Sequence, residues 1–173
     1  QFPNHPLVPD ALYRCGENLY NDGKFQRALD TYLEVSDRFP VSQFAPRALY
    51  SASWTYLDLE QTEDFIKTME RLATTYPQSD YARFAQFTIG DYYYSAKDYR
   101  TAQEAYRKVV ERFPTSQEAE KSKALLADLE EELATLEYDR AFAAFEKGNY
   151  DVAAHQFKAI AEEHPETYSA LAA

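Results

Sequence analysis

The sequence predicts an all-α fold, a solenoid of antiparallel helix pairs stacked in a row. Three observations carry that prediction. Pro3, Pro40, Pro77 and Pro114 are each 37 residues apart, within "QFPNH", "RFPVS", "TYPQS" and "RFPTS", and a period of this size marks an array of supersecondary units. Each period holds two sets of apolar residues at helical spacing, separated by a short polar turn. The joint between periods is itself punctuation: a residue before proline is pushed out of the helical region, proline lacks the donor that a helix interior needs, and the following serine is suited to cap the next helix.

The first unit illustrates the elements in order. Leu12, Cys15, Gly16 and Leu19 place one apolar face on a helix over 8–21, with Cys15 expected inside. Gly23 in "NDGKF" takes the left-handed conformation that ends a helix cheaply. Phe25, Ala28, Leu29, Tyr32 and Val35 then mark a second helix over 25–38, closed by "FP". The same logic predicts helices at 43–58, 62–75, 80–95, 99–112, 116–147 and 150–163, started at three joints by Ser42, Ser79 and Ser116, and no strand. The units run over 7–40, 41–77, 78–114 and 115–165 of a single array, with 166–173 opening a further unit, so both ends read as cut from a longer protein.

Two places depart from the pattern. Unit two has "LEQTED" for its turn, without glycine; Thr62 stands where the others have Phe25, Tyr99 and Tyr150, and is placed to cap its helix. Phe65 replaces the alanine of the other units. Either Phe65 restores the volume that the missing aromatic leaves, or the helix pair splays into a hinge. In unit four Pro165 follows Pro114 by 51 residues, an excess of 14. Fourteen residues at about 100° each return to within ~40° of whole turns, so a lengthened first helix keeps its downstream faces nearly in phase. Along it Leu126, Leu129, Leu133 and Leu136 alternate three and four apart, with Asp128, Glu130, Glu131 and Glu132 mostly turned away. These leucines are either buried by neighbouring units or form a partner-binding ridge.

Composition narrows the function. A net charge of −11 makes nucleic acid and anionic membrane surfaces poor partners, since both demand a positive footprint. No apolar run is long enough to span a bilayer, so direct membrane insertion is not expected. With one cysteine there is no internal disulfide. The three histidines lie far apart in the repeat order, and no phosphate loop, paired-histidine metal motif or nucleophile elbow occurs. No catalytic, cofactor or metal site is therefore expected, and the chain is not predicted to be an enzyme.

The small and closing positions of the units carry a family resemblance. The first helices read Gly16, Ser53, Gly90 and Ala141 at one small position; the second helices read Ala28, Phe65, Ala102 and Ala153. Small residues facing each other would bring the two helices close, with Tyr32, Met69, Tyr106 and Phe157 following in register and Pro40, Pro77, Pro114 and Pro165 closing each unit. This pattern resembles the tetratricopeptide repeat (TPR) family over nearly the whole chain. The stretches "DALYRCGENLYNDGKFQRAL" and "FAQFTIGDYYYSAKDYRTAQEAYRKVVERFPTS" and the "FPxSxxA" joint are similar to the repeats of bacterial envelope-biogenesis TPR proteins, of the barrel-assembly lipoprotein D and Tol-Pal-associated coordinator types. The resemblance implies a right-handed superhelix, a non-enzymatic adaptor of a bacterial envelope assembly, and a periplasmic or envelope location ahead of a cytoplasmic one.

By the same resemblance, one step around from the packing face the first helices line a concave groove. That face carries Tyr13, Glu17 and Tyr20; Tyr50, Trp54 and Leu57; Phe87, Asp91 and Tyr94; and Tyr138, Phe142 and Phe145. Aromatic rings give large contact area and keep a polar handle, which suits peptide binding; half or more of the set is expected to be mainly structural, packing first helix against first helix. Lysines and asparagines of the kind that grip a C-terminal carboxylate are replaced here by aromatics and acids. A protein or peptide segment carrying Arg, Lys or proline fits better, because cations sit on rings and pair with acids and proline-rich segments favour aromatic grooves. Two other classes stand beside this scaffold: a sensor or dimerisation module attached to an enzymatic domain outside this sequence, and a spacer without a groove ligand.

Overall fold

The computed structural model describes residues 6–172; the earliest joint, around Pro3, lies outside the described residues. All regular structure among them is helical: α1 (Val8–Asn21), α2 (Phe25–Arg38), α3 (Phe44–Asp58), α4 (Thr62–Thr75), α5 (Asp80–Ser95), α6 (Tyr99–Arg112), α7 (Gln117–Glu146), α8 (Tyr150–Glu163) and the short α9 (Tyr168–Ala172). The eight main helices begin and end within one residue of the positions that the 37-residue spacing predicts. The fold is a TPR-like solenoid of antiparallel helix pairs. The chain divides into two compact units, residues 1–89 and 90–173, with the boundary inside α5.

In the first unit α1 packs on α2 and α3, α2 on α3, and α3 on α4. Tyr13, Ala28, Leu29, Tyr32, Val35, Ala48 and Ala52 form one buried cluster. Phe65, Met69 and Leu72 are buried beyond it. In the second unit α7 packs on α6, α8 and α9, and the core includes Ala102, Tyr106, Val109, Leu129, Leu133, Ala141 and Ile160.

Every helix pair turns in the same way. Gly23, Glu60, Lys97 and Gly148 all adopt positive φ, at 73°, 61°, 60° and 78°. The next residue in each case donates its N–H five positions back: Lys24 to Leu19 O at 2.9 Å, Gln61 to Tyr56 O at 2.9 Å, Asp98 to Tyr93 O at 2.9 Å and Asn149 to Ala144 O at 3.0 Å. This is the left-handed helix stop that glycine favours, built in two of four cases without glycine. The irregular turn of unit two is therefore irregular only in composition. Phe65 is buried with its ring 5.4 Å from that of Trp54, so the volume exchange holds and the splayed pair does not. Thr62 is the first helical residue, not the cap; Gln61 holds the cap position and makes no side-chain cap bond.

The joints repeat as closely. Ser42, Ser79, Ser116 and Thr167 donate their N–H to the carbonyls of Phe39, Tyr76, Phe113 and His164 at 2.9, 2.9, 2.9 and 3.0 Å. The three serine hydroxyls accept from the N–H of Phe44, Tyr81 and Ala119 at 3.2, 3.2 and 3.0 Å. Ser79 and Ser116 do so as caps, whereas Ser42 stands one residue ahead of the cap position of α3, which Gln43 holds without a side-chain cap bond.

Two expected placements are corrected, those of Cys15 and Glu130. Cys15 is exposed; the inward place next to Gly16 belongs to Tyr13. The glycines of two first helices lie directly against the large residue of the partner helix. A Cβ on Gly16 would lie 2.6 Å from Tyr32 Cε1, and one on Gly90 2.5 Å from Tyr106 Cε1. Along α7, a 30-residue helix, Leu129 and Leu133 are buried, Leu126 is half-buried and Leu136 is exposed, so the leucine row divides between core and surface. Glu130 is half-buried and turned inward rather than away.

Candidate partner-binding surfaces

In the first unit the predicted aromatic set converges on one open cavity of about 470 Å³. Tyr13, Glu17, Tyr20, Tyr50 and Trp54 line it, joined by Asn18, Asn21, Tyr32 and Ser51. Leu57 and Phe87 are not among the residues lining that cavity.

The five differ in how far they are committed to packing. Tyr13 is 3% exposed, and its ring lies 5.6 Å from Tyr32 and 6.0 Å from Phe44. Its hydroxyl pairs with Ser51 Oγ at 3.1 Å. Burial pushes the Tyr13 hydroxyl above its ordinary pKa, and Tyr32 further still. These two rings are the floor. Trp54 is 36% exposed and stands on edge against Tyr50, with ring centroids 6.1 Å apart. Tyr20 is half-exposed and donates its hydroxyl to Asp58 at 2.6 Å. These rings are the accessible walls.

The cavity region already holds one cation–ring contact. The guanidinium of Arg47 sits 4.5 Å from the centre of the Tyr13 ring and pairs with Glu17 at 3.2 Å. A tyrosine face and an acid thus cooperate here on an arginine of the chain itself.

The second unit distributes its predicted residues instead of gathering them. Asp91 accepts a hydrogen bond from the hydroxyl of fully buried Tyr106 at 2.6 Å, so its first duty is structural. Desolvation is the main cause that raises its carboxyl pKa, opposed by the Tyr106 hydroxyl and by Lys121. The Tyr94 ring lies 5.7 Å from Tyr99. Tyr138, Phe142 and Phe145 form a ladder along α7, with centroids 6.3 Å apart at each step. Phe142 is 44% and Phe145 50% exposed. Phe145 also borders an apolar hollow of about 570 Å³ with Tyr150, Phe157 and Lys158. Sequence reasoning missed Tyr150 as surface, although its place after the turn gave the signal.

Among the described residues no helix is long and apolar enough to cross a membrane.

Comparison with known proteins adds to this geometry. A family model described as "YfiO: Outer membrane lipoprotein" matches residues 7–173. The outer membrane protein assembly factor BamD of Neisseria gonorrhoeae is 24% identical over 169 residues, covering 87% of this chain and 63% of that protein. The BamD of Caulobacter vibrioides is 23% identical over 166 residues, covering 91% and 54%. The chain thus spans between about half and just under two thirds of the length of these relatives. Among solved structures, a tetratricopeptide repeat protein from Parabacteroides merdae aligns with a TM-score of 0.56 at 22% identity, over 95% of this chain and 55% of that one. The TPR domain of P58(IPK) aligns with a TM-score of 0.58 at 17% identity, over 89% and 41%. At these identities the two structures speak for the fold.

Proposed function

The chain belongs to the YfiO family of outer membrane lipoproteins, and on that premise we propose that it serves as a non-enzymatic, protein-binding scaffold in outer membrane protein assembly. The cavity of the first unit is its main docking point for an extended segment of a partner protein. The observation that carries this reading is the convergence of Glu17, Tyr20, Tyr50 and Trp54 on one opening.

The chemistry of the cavity selects the ligand. Rings on the walls favour proline rings and the flat faces of guanidinium groups. Glu17, together with the overall charge of −11, disfavours acidic segments. The exposed ladder Tyr138, Phe142 and Phe145 is a second contact surface, suited to an apolar face of a partner.

The chain's single tryptophan lies in the cavity, which makes the reading testable by intrinsic fluorescence. Synthetic peptides alternating Arg and Pro should shift Trp54 emission saturably, and peptides alternating Glu and Pro should not. Equal responses to both, or none to either, would reject the basic-segment reading.

A further inference from the structure

The lengthened unit four holds a cluster that the scaffold function does not use. At the three earlier described joints the residue before proline is Phe39, Tyr76 and Phe113; at the fourth it is His164. Its ring is not spare. His164 is 9% exposed, and Nδ1 lies 2.7 Å from Glu130 Oε1 while Nε2 lies 3.3 Å from Glu137 Oε2. Both glutamates come from α7, the helix whose unit exceeds the period by 14 residues. The exchange of aromatic for histidine and the lengthening of the helix thus meet at one point.

The hydrogen-bond arithmetic leaves a gap. An ionised carboxylate only accepts, so Nδ1 donates to Glu130 and fixes the tautomer. Nε2 is left facing a carboxylate oxygen of Glu137 at 3.3 Å, and a positive species between them, a proton on Nε2 or a metal ion, satisfies both. A third donor converges on the same place: ligand atoms of Glu137, Glu163 and His164 all lie within 4.8 Å of one another. A proton on Nε2 would serve Glu137 alone, whereas a metal ion would engage Glu163 as well. The charges point the same way. Glu130, Glu137 and Glu163 bring three negative charges, and Arg100 on the other oxygen of Glu137 returns one; a divalent ion neutralises the remainder.

We propose that His164 Nε2, Glu137 and Glu163 bind one divalent transition-metal ion of the zinc class, with Glu130 orienting the imidazole through Nδ1. The ligand set is one nitrogen and carboxylate oxygens, which suits zinc and disfavours magnesium, an ion that prefers oxygen alone. A carboxylate behind a metal-binding histidine is the usual arrangement for holding the ring in its ligating orientation. Three protein ligands with Glu163 exposed leave the fourth position to water or to a partner's side chain. The ion would tie the end of α8 to the middle of α7. Sequence inspection finds no metal motif here because the ligands are 26 and 27 positions apart.

The test uses the chain free of any polyhistidine tag and cleared with chelator, titrated with zinc chloride by calorimetry and followed by thermal unfolding. One zinc per chain and a raised melting temperature are expected, with magnesium giving neither. His164→Phe restores the aromatic of the other joints and should keep the helical circular dichroism while abolishing zinc binding. Glu163→Gln should weaken binding at least about tenfold, and Glu130→Gln about 10–100-fold, the usual effect of removing a carboxylate behind a ligand. No saturable zinc binding by the parent would overturn the proposal. So would His164→Phe or Glu163→Gln variants that bind zinc as the parent does.

Discussion

The ring of Tyr106 lies flat against Gly90, so close that a methyl group on Gly90 would sit 2.5 Å from its Cε1, and the ring ends in a hydroxyl that donates to Asp91 at 2.6 Å. Gly16 and Tyr32 repeat the contact in the first unit. Ser53 does so with Met69, Oγ to Sδ at 3.4 Å. The smaller the first residue, the larger and flatter the partner. Because Tyr106 is fully buried, its ring has no room to swing aside. Gly90→Ala should therefore destabilise the chain by about 1–3 kcal/mol, and Gly90→Leu by at least as much. Urea unfolding followed by circular dichroism checks this; an unchanged midpoint would refute the contact.

Asp91 tests the hydroxyl end of the same pair. Asp91→Asn keeps an acceptor for Tyr106 and removes a carboxylate held in a desolvating site, so stability should change little or rise. Asp91→Ala removes the acceptor at this exposed position and leaves the Tyr106 hydroxyl to water, so it should destabilise by about 1 kcal/mol. The two variants are expected to separate clearly in the same urea titration.

The turns offer a stabilising prediction. Glu60 and Lys97 hold the left-handed conformation that Gly23 and Gly148 hold without strain. An L-residue there loses roughly 1–2 kcal/mol, of which glycine's unfolded-chain entropy gives back about 0.5–1. Glu60→Gly and Lys97→Gly should each stabilise by about 0.5–1 kcal/mol. Replacement by Val at either position should destabilise, since a β-branched residue tolerates positive φ worst. Thermal melts of the four variants decide the sign.

The buried tyrosines fix a pH dependence. Burial and, for Tyr106, the Asp91 carboxylate hold the hydroxyls of Tyr13, Tyr32 and Tyr106 above the ordinary tyrosine range, near 10. A folded-state pKa raised above the unfolded one contributes stability that is complete below about pH 10 and is lost as pH rises beyond it. Unfolding midpoints should therefore fall above pH 10. Tyrosinate absorbance should show one class of tyrosines ionising near 10 and another only as the chain unfolds. Tyr106→Phe should shrink the alkaline loss.

Much of this architecture was legible in the sequence because its signals are local and repeated. The stop before Pro40, the hydroxyl of Ser116 and the 37-residue step each report on their own neighbourhood, and the helices follow. Glu60 and Lys97 were not legible as left-handed residues, since register alone, without glycine, marks that position. The candidate site divides along the same line. Tyr13 and Trp54 sit on the same sequence stripe, yet one is floor and the other wall, because Phe44 and Arg47 of α3 close over Tyr13. The cluster at His164 was hidden for the opposite reason: its partners are brought in from 27 and 34 residues away by the lengthened helix.

The central claim is that the first unit's cavity docks a basic, proline-containing segment. The direct measurement is a calorimetric titration of an Arg-Pro peptide into the parent and into two sets of variants, Tyr50→Ala with Trp54→Phe from the cavity and Phe142→Ala with Phe145→Ala from the ladder. Loss of an anchoring aromatic costs about 2 kcal/mol, roughly thirtyfold in affinity. The account predicts such a loss for Tyr50→Ala, a smaller one for Trp54→Phe, and parent-like binding for both ladder variants. Parent-like binding by the cavity variants, with loss confined to Phe142→Ala and Phe145→Ala, would contradict it.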